Sequence, residues 1–554
     1  MTLSLLVSPI ALIGLAALVL VLVVRLSRRK SLKFLRGPPP PSWWLGNEHQ
    51  LFYQQDTGCL DSQWMREYGN TWRMHSYFGR EGIMTTDPKA LQHILHKSGY
   101  NYPKRVDMNT ITFLQFGPGI LWSEGSVHQR HRKVMNPAFS AQQLRTFVPL
   151  FQRTALKIIE KWKALIPIDS VVLVNQWLAR GGLDIIGEAA FDYDFGSLDD
   201  ADNPLAKEYA TIVRDVQMNP TKLAMLYRGL FECFPQKIIE FVKHTPARAY
   251  RRAKRLNEMF EDIGRDLYHS NADEEKADRD GKRDVMSILI KANDSEDQRF
   301  RLSEKEVLAQ MHHLTSAAQE TTSSTLSWML YELSKHPEYQ TRIREEIRAV
   351  RAAANERGEP TFTVEDLDSM QYLIAAIKET LRFHAVVPYL WRVAGKDDVI
   401  PLSEPVVGAD GSVLTEVPIF KGQSVITSLC GYNRLVSVWG EDADEWVPER
   451  FFRIESEKQL RLGVYANVLT FSAGLRGCIG WRFAVYQLQA VAAELLETFE
   501  FALPVPKPTI RRTPAVLMVP VVEGKEDLGF AMPLRVSLFS TRLGGSDEHA
   551  GGRS

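Results

Sequence analysis

A cysteine set among small residues near the end of the 554-residue chain has what a thiolate metal ligand needs. It lies in Phe471-Ser-Ala-Gly474-Leu-Arg476-Gly-Cys478-Ile-Gly480, which runs straight into a helix-like stretch from Trp481 to Glu500. Glycines let the backbone approach a flat cofactor and turn sharply. Free amides at the start of the next helix, with the positive end of its dipole, favour an anionic sulfur. Arg476 adds a cation suited to a carboxylate. A second constellation, Ala317-Ala318-Gln319-Glu320-Thr321-Thr322, puts an acid and hydroxyls mid-helix, where threonines loosen the backbone ladder. A polar stripe on a surface helix would read the same way. Glu379 and Arg382, three apart, can pair on one helix face, a contact worth little if exposed. His128 with His131, and His312 with His313, have no Cys or acid at a recognisable metal spacing, so zinc is not expected there.

The ten-residue pattern Phe-x-x-Gly-x-Arg-x-Cys-x-Gly is complete here and resembles the haem-binding signature of the cytochrome P-450 family. The resemblance implies that Cys478 is the axial ligand of a haem b iron, with Phe471, Gly474, Arg476 and Gly480 shaping the cofactor loop. It also implies roles elsewhere. Glu320-Thr321 matches the family's acid-alcohol pair for oxygen activation, with Ala318 where a glycine is usual. Arg132 lies four residues after His128, on the same helix face. There the family commonly carries Trp-x-x-x-Arg against a haem propionate, so His128 stands in the tryptophan position, as it does in fungal-looking members. Pro388-Tyr-Leu-Trp391-Arg392 is similar to the segment that brings a further arginine to a propionate, an exposed strand arginine being the alternative reading. Glu379 and Arg382, with Arg450 of Trp446-Val-Pro448-Glu449-Arg450, resemble a buried structural triad.

Several elements must position these residues. Ser303 and Glu306 form a capping box that opens a helix running to Lys335, where His336-Pro337 stops it. Glu379 and Arg382 fall on a predicted helix over Met370 to His384. Most long segments between Asn47 and Pro401 have helical periodicity. Strand-like runs are short: Trp72 to Tyr77, Gly82 to Thr85, Val399 to Ile400, Ser424 to Ser428, Val516 to Val522 and Leu534 to Leu538, with Asp410-Gly411 as a hairpin turn. The expected class is mainly α with small β-sheets, the cytochrome P-450 fold, preceded by one transmembrane helix.

Zero net charge, with 24% charged residues, gives no argument for nucleic acid. Four scattered cysteines, Cys59, Cys233, Cys430 and Cys478, make neither a zinc pair nor a disulfide framework and suit a reducing compartment. Leu3 to Val24 carries no charge and is long enough to span a bilayer. Arg25, Arg28, Arg29, Lys30, Lys33 and Arg36 follow, which places that flank in the cytosol. A cleaved signal peptide would carry its charges before a shorter apolar run. Gly37 and the four prolines Pro38 to Pro41 form an extended spacer. The expected organisation is an anchor over 1–24, a basic, proline-rich linker over 25–47, a catalytic domain over 48–540 and a disordered polar tail over 541–554.

The resemblance implies a membrane-anchored monooxygenase of the endoplasmic reticulum. It would hydroxylate a lipophilic small molecule with dioxygen, and protons would pass through Thr321 and Glu320. No nucleotide-binding fingerprint is present in the chain, so electrons would come from NADPH through a separate cytochrome P-450 reductase. A cytochrome of the b type is a possible helper, and Arg130 and Lys133 are docking candidates. Phe113, Leu114, Phe116, Val386, Val387 and Leu390 fall where the family places pocket walls. Family habit points to fungal secondary metabolism and a terpenoid, ahead of a polyketide, a fatty acid or a foreign aromatic. A reductase-independent isomerase would not need the Glu320-Thr321 pair. A non-enzymatic haem sensor would show no reductase-dependent turnover.

Overall fold

The computed structural model describes residues 30–168, 170–200, 220–232, 248–273, 284–295, 297–454 and 460–539. The expected anchor over 1–24, the tail over 541–554 and Cys233 lie outside them. No helix among the described residues is long and apolar enough to cross a membrane.

Near the N-terminal side, β1 (Thr71–His75) and β2 (Glu81–Thr85) pair antiparallel. Helices α1 (Val106–Phe116), α2 (Gly125–Met135), α3 (Val148–Leu165), α4 (Val174–Phe191) and α5 (Arg248–Asp273) follow. The centre is α6 (Glu304–Lys335), 32 residues and so about 48 Å long. Its expected capping box is present in full, and Pro337 opens the next helix directly after His336. Ser, Thr and Gln alternate with Leu, Met and Trp around most of α6, which is buried because α4, α5 and the C-terminal helices enclose it. Closest packing is against α4, where Gly182 faces the backbone of Gln319, with space for a methyl group only in close contact.

Helix α7 (Gln371–Phe383) leads into β3 (Tyr389–Val393), the hairpin strands β4 (Asp398–Val407) and β5 (Val413–Ile419), and β6 (Ser424–Ser428). The predicted turn at Asp410-Gly411 joins the hairpin, and Gly411 takes the positive φ that such a turn needs. Strand β6, all of whose residues are buried, sits inside a four-stranded sheet ordered β1-β2-β6-β3. It runs parallel to β2 and antiparallel to β3, placing Arg392 opposite Val425. A further short strand, Val171–Leu173, which the sequence reading lacked, pairs antiparallel with Pro533–Leu538 in a separate sheet. Strand β7 (Val468–Ala473) and helix α8 (Trp481–Thr498) flank the cysteine loop. The apolar face of α8 packs on α3, with the rings of Phe151 and Phe483 5.0 Å apart at 81°.

One core cluster extends from Leu32 to Val536. The stretch expected to be a basic, proline-rich linker packs on the folded body from residue 32 onward. Leu32 and Leu35 are buried, the Arg36 carbonyl accepts from the Arg73 amide at 2.8 Å, and Asn47 donates to the Pro39 carbonyl at 3.0 Å. The Leu32 amide also donates to Glu81 of β2 at 2.5 Å, and Leu35 bridges to Gly408, so the segment is held by hydrogen bonds as well as by its two buried leucines.

Candidate active site

The cysteine loop is built by backbone constraints. At Gly474, φ is +64°, and a Cβ would collide with the carbonyl of Leu95, so only glycine fits. The Cys478 amide donates to the Phe471 carbonyl at 2.8 Å, closing the loop, and Gly480 caps α8. Cys478 keeps accessible surface although protein surrounds it closely. Burial pushes its thiol up, against the pull of the Gly480 amide and of Arg132. Burial thus outweighs the helix-terminus effect expected from sequence. Arg132, from α2, donates to the Gly477 carbonyl at 2.9 Å.

Around Arg132 the fold gathers His128, Arg392 and Arg476, three more of the predicted residues, from α2, β3 and the cysteine loop. Lys104 joins them because the 103–105 segment pairs with β3: Val393 donates to Pro103 at 3.0 Å and Arg105 to Trp391 at 3.2 Å. Lys104 Nζ donates to the Ser123 carbonyl at 3.0 Å and lies 3.3 Å from Glu124. Arg476 pairs with Glu124 and donates to Ser123 at 3.2 Å. Its Nε is buried without a partner. Arg392 is buried and its guanidinium makes no hydrogen bond to a described residue.

Lys104, Arg392 and Arg476 thus share one acid, Glu124, with Arg132 and the imidazole of His128 beside them. Burial, followed by repulsion from Arg476, lowers Arg392 to about 10. Burial likewise takes Lys104 to about 7, the attraction of Glu124 notwithstanding. Burial with repulsion from Arg476, Lys104 and Arg132 holds His128 at about 3. A buried excess of cations is costly unless an anion answers it. These residues fit the carboxylates of a haem whose iron Cys478 would hold. Lys104 and Tyr100 escaped sequence reasoning: the pairing of 103–105 with β3 brings in Lys104, and Tyr100 reaches the site through His128 of α2.

On α6, hydroxyls bond back to carbonyls one turn earlier: Thr321 to Ala317 at 2.6 Å, Ser323 to Gln319 at 2.5 Å and Thr325 to Thr321 at 2.8 Å. The Glu320 carboxyl makes no hydrogen bond or ion pair among the described residues, and burial alone pushes it up to about 7. Ala317 keeps accessible surface, whereas Ala318 packs against the core. No hydrogen bond or ion pair joins Glu320 or Thr321 to the Cys478 loop among the described residues.

The structural triad is assembled and buried. Arg382 makes a double contact with Glu379, at 2.8 and 2.7 Å, and donates to the carbonyls of Asn433, Ala443 and Glu445. Arg450 Nε lies 3.5 Å from Glu379 and its other nitrogens go to Trp439 and Asp442. The other histidines have separate partners: His131 meets Glu306, His312 meets Asn257, and His313 accepts from the Leu121 amide. Arg130, a docking candidate, is instead committed to Glu306 and the Arg301 carbonyl, and Lys133 lies over the ring of Phe300.

Phe113, Leu114 and Phe116 line a cavity of about 250 Å³ closed by α5 and the first half of α6. Val386 is fully buried and serves as core, its carbonyl accepting from Met518 at 2.7 Å. Val387 and Leu390 are half-buried against the same core. A larger cleft of about 950 Å³, between Trp43, Phe78 and Phe420, contains none of the predicted site residues.

Comparison with known proteins agrees with this geometry. The cytochrome P-450 family description matches residues 36–524. Cytochrome P-450 monooxygenase 81 of Postia placenta is 34% identical over 545 residues, covering 95% of this chain and 96% of that protein. Cytochrome P-450 monooxygenase claP of Ampulloclitocybe clavipes is 33% identical over 525 residues, covering 93% and 95%. With a thiol and a carboxylate-binding cation cluster assembled in one place and this likeness running almost end to end, the chain belongs to the cytochrome P-450 family of monooxygenases.

Proposed function

We propose that the protein hydroxylates a lipophilic small molecule at the Cys478 site, with electrons delivered from NADPH by a separate reductase on the endoplasmic reticulum membrane. The observation that carries this reading is the accessible Cys478 thiol beside Arg132, Arg392, Arg476 and Lys104, with Glu124 as the acid among them. Haem bound there would supply the oxidative chemistry, with dioxygen as oxidant. The protein's part is binding and proton control. Arg132, Arg392 and Arg476 would take the carboxylates, with His128 and Lys104 beside them. Glu320, poised at about 7, can take a proton from solvent and release it inward, and the Thr321 hydroxyl is its neighbour in the chain.

The apolar walls at Phe113, Leu114 and Phe116 support a lipophilic substrate. A terpenoid of fungal secondary metabolism is the substrate class we favour, on the resemblance to fungal members. The uncharged stretch over 3–24 and the basic residues behind it support a single-pass anchor with the folded body in the cytosol. The test is the difference spectrum of the dithionite-reduced, carbon monoxide-bound protein in membranes, beside Cys478→Ala. A strongly red-shifted Soret band that disappears in the variant is the expected result. A folded, haem-loaded wild type with only an imidazole-like band would remove Cys478 as ligand and the monooxygenase reading with it. Reductase-supported turnover of terpenoid, polyketide, fatty acid and aromatic panels then decides among substrate classes.

A further inference from the structure

Helix α2 offers His128 where a carboxylate-binding site needs a hydrogen-bond donor, and a neutral imidazole donates from only one of its two nitrogens. Which nitrogen carries the proton is fixed by its neighbours. The phenol oxygen of Tyr100 lies 2.8 Å from His128 Nδ1, with the rings 5.7 Å apart at 66°. A phenol is the stronger acid and an imidazole nitrogen the better acceptor, so the O–H donates and Nδ1 accepts. His128 is 4% exposed and faces Arg476, Lys104 and Arg132, which disfavour a second proton on the ring. Its one proton therefore sits on Nε2, which makes no hydrogen bond to any described residue.

We propose that Tyr100 is a positioning residue: its phenol locks His128 as the neutral Nε2–H tautomer and thereby makes it a donor to a haem carboxylate. The proposal rests on the reading that this site seats haem. Tyr100 serves a second group too, since its ring lies under the Arg476 guanidinium, 4.9 Å from ring centre to carbon. Tyr100→Phe keeps that ring and removes the O–H, and with it a contact to the Gln129 side chain that the two-background comparison separates from the effect on His128.

The test is a double-mutant cycle on the purified holoenzyme, reading the rate of haem transfer to apomyoglobin and the ferric-ferrous midpoint potential. Tyr100→Phe should speed haem loss about tenfold, as expected for losing a hydrogen bond to a charged group, and should lower the midpoint potential by leaving the carboxylate less neutralised. In a His128→Trp background, where the indole has only an N–H to offer, Tyr100→Phe should change neither reading. If that background does not load haem, His128→Gln, whose amide brings its own donors, replaces it. Tyr100→Phe with wild-type haem loss and potential overturns the proposal. So does an equal effect of Tyr100→Phe in both backgrounds, which would assign the phenol to packing or to Arg476. A wild type that folds without taking up haem overturns the underlying reading instead, and is seen before any variant is made.

Discussion

Glu320 and Glu332 lie twelve residues apart on one helix and are tuned in opposite directions by what surrounds them. Burial pushes Glu332 up, but His384 at 2.8 Å and Lys335 at 2.7 Å outweigh it and hold the carboxyl at about 2. Nothing answers Glu320, so burial leaves it at about 7. Below that pH it carries a proton and above it does not, so a role as proton donor fades as pH rises through 7. In the reductase-coupled reaction, product formed per dioxygen consumed should fall across pH 6.5 to 8 in the wild type. In Glu320→Gln it should be low and flat. A variant that keeps the wild-type profile would take Glu320 out of the relay. This acid-hydroxyl pair is legible in the sequence because Glu320 and Thr321 are adjacent. Lys104 is not, since a strand pairing nearly three hundred residues away, at β3, brings it in, and Tyr100 is not, since its partner His128 lies on a separate helix.

At the scale of elements, α6 is held in place by α4, and the contact is closest where the hydroxyls soften its ladder. A Cβ at Gly182 would lie 3.4 Å from the Gln319 carbonyl oxygen, the same oxygen that accepts from Ser323. Gly182→Ala should be close to neutral. Gly182→Val adds branches that must push on backbone, and overpacking of this kind costs about 1–3 kcal/mol. Thermal unfolding should show that loss, and product per dioxygen should drop because Glu320 and Thr321 shift with Gln319. Valine with unchanged stability and coupling would mean that the helices part freely. The triad joins elements more tightly. Removing Arg450 leaves Glu379 under-paired at zero exposure, at a cost of about 3–5 kcal/mol. Arg450→Ala should therefore accumulate largely haem-free, measured as haem per protein after expression. Local chemistry made α6 readable to the residue, through Ser303, Glu306 and Pro337. The sheet order was not readable, because β6 joins β2 across more than three hundred residues and its five residues, all buried, show no alternation that would mark a partner.

The whole molecule carries no net charge, yet its interior holds histidines that burial keeps neutral at pH 7. His384 is the clearest case for a stability measurement. It is stacked on Trp328, with rings 4.3 Å apart at 12°, and joins the end of α6 to the end of α7 through Glu332. Its Nδ1 is buried without a partner, and Lys335 already balances Glu332. Burial therefore wins over the carboxylate and holds the imidazole at about 4, neutral at pH 7 with its Nε2–H donated to Glu332. In the unfolded chain the same histidine protonates near its ordinary 6.5. Between those values the unfolded state binds a proton that the folded state refuses, so stability is whole above about 6.5 and falls as pH drops toward 4. Glu320 and Glu232, both raised by burial, bind protons in the folded state over part of that window and act in the opposite sense. A comparison of variants isolates the histidine. His384→Gln should lower stability at pH 7 through lost stacking, yet flatten the pH dependence between pH 6.5 and 5 by up to about 1.4 kcal/mol per unit, one proton's worth. Unfolding in denaturant at several pH values reads this slope directly. An unchanged slope would mean that His384 is already charged in the fold, with Glu332 as its counterion and Lys335 released to solvent.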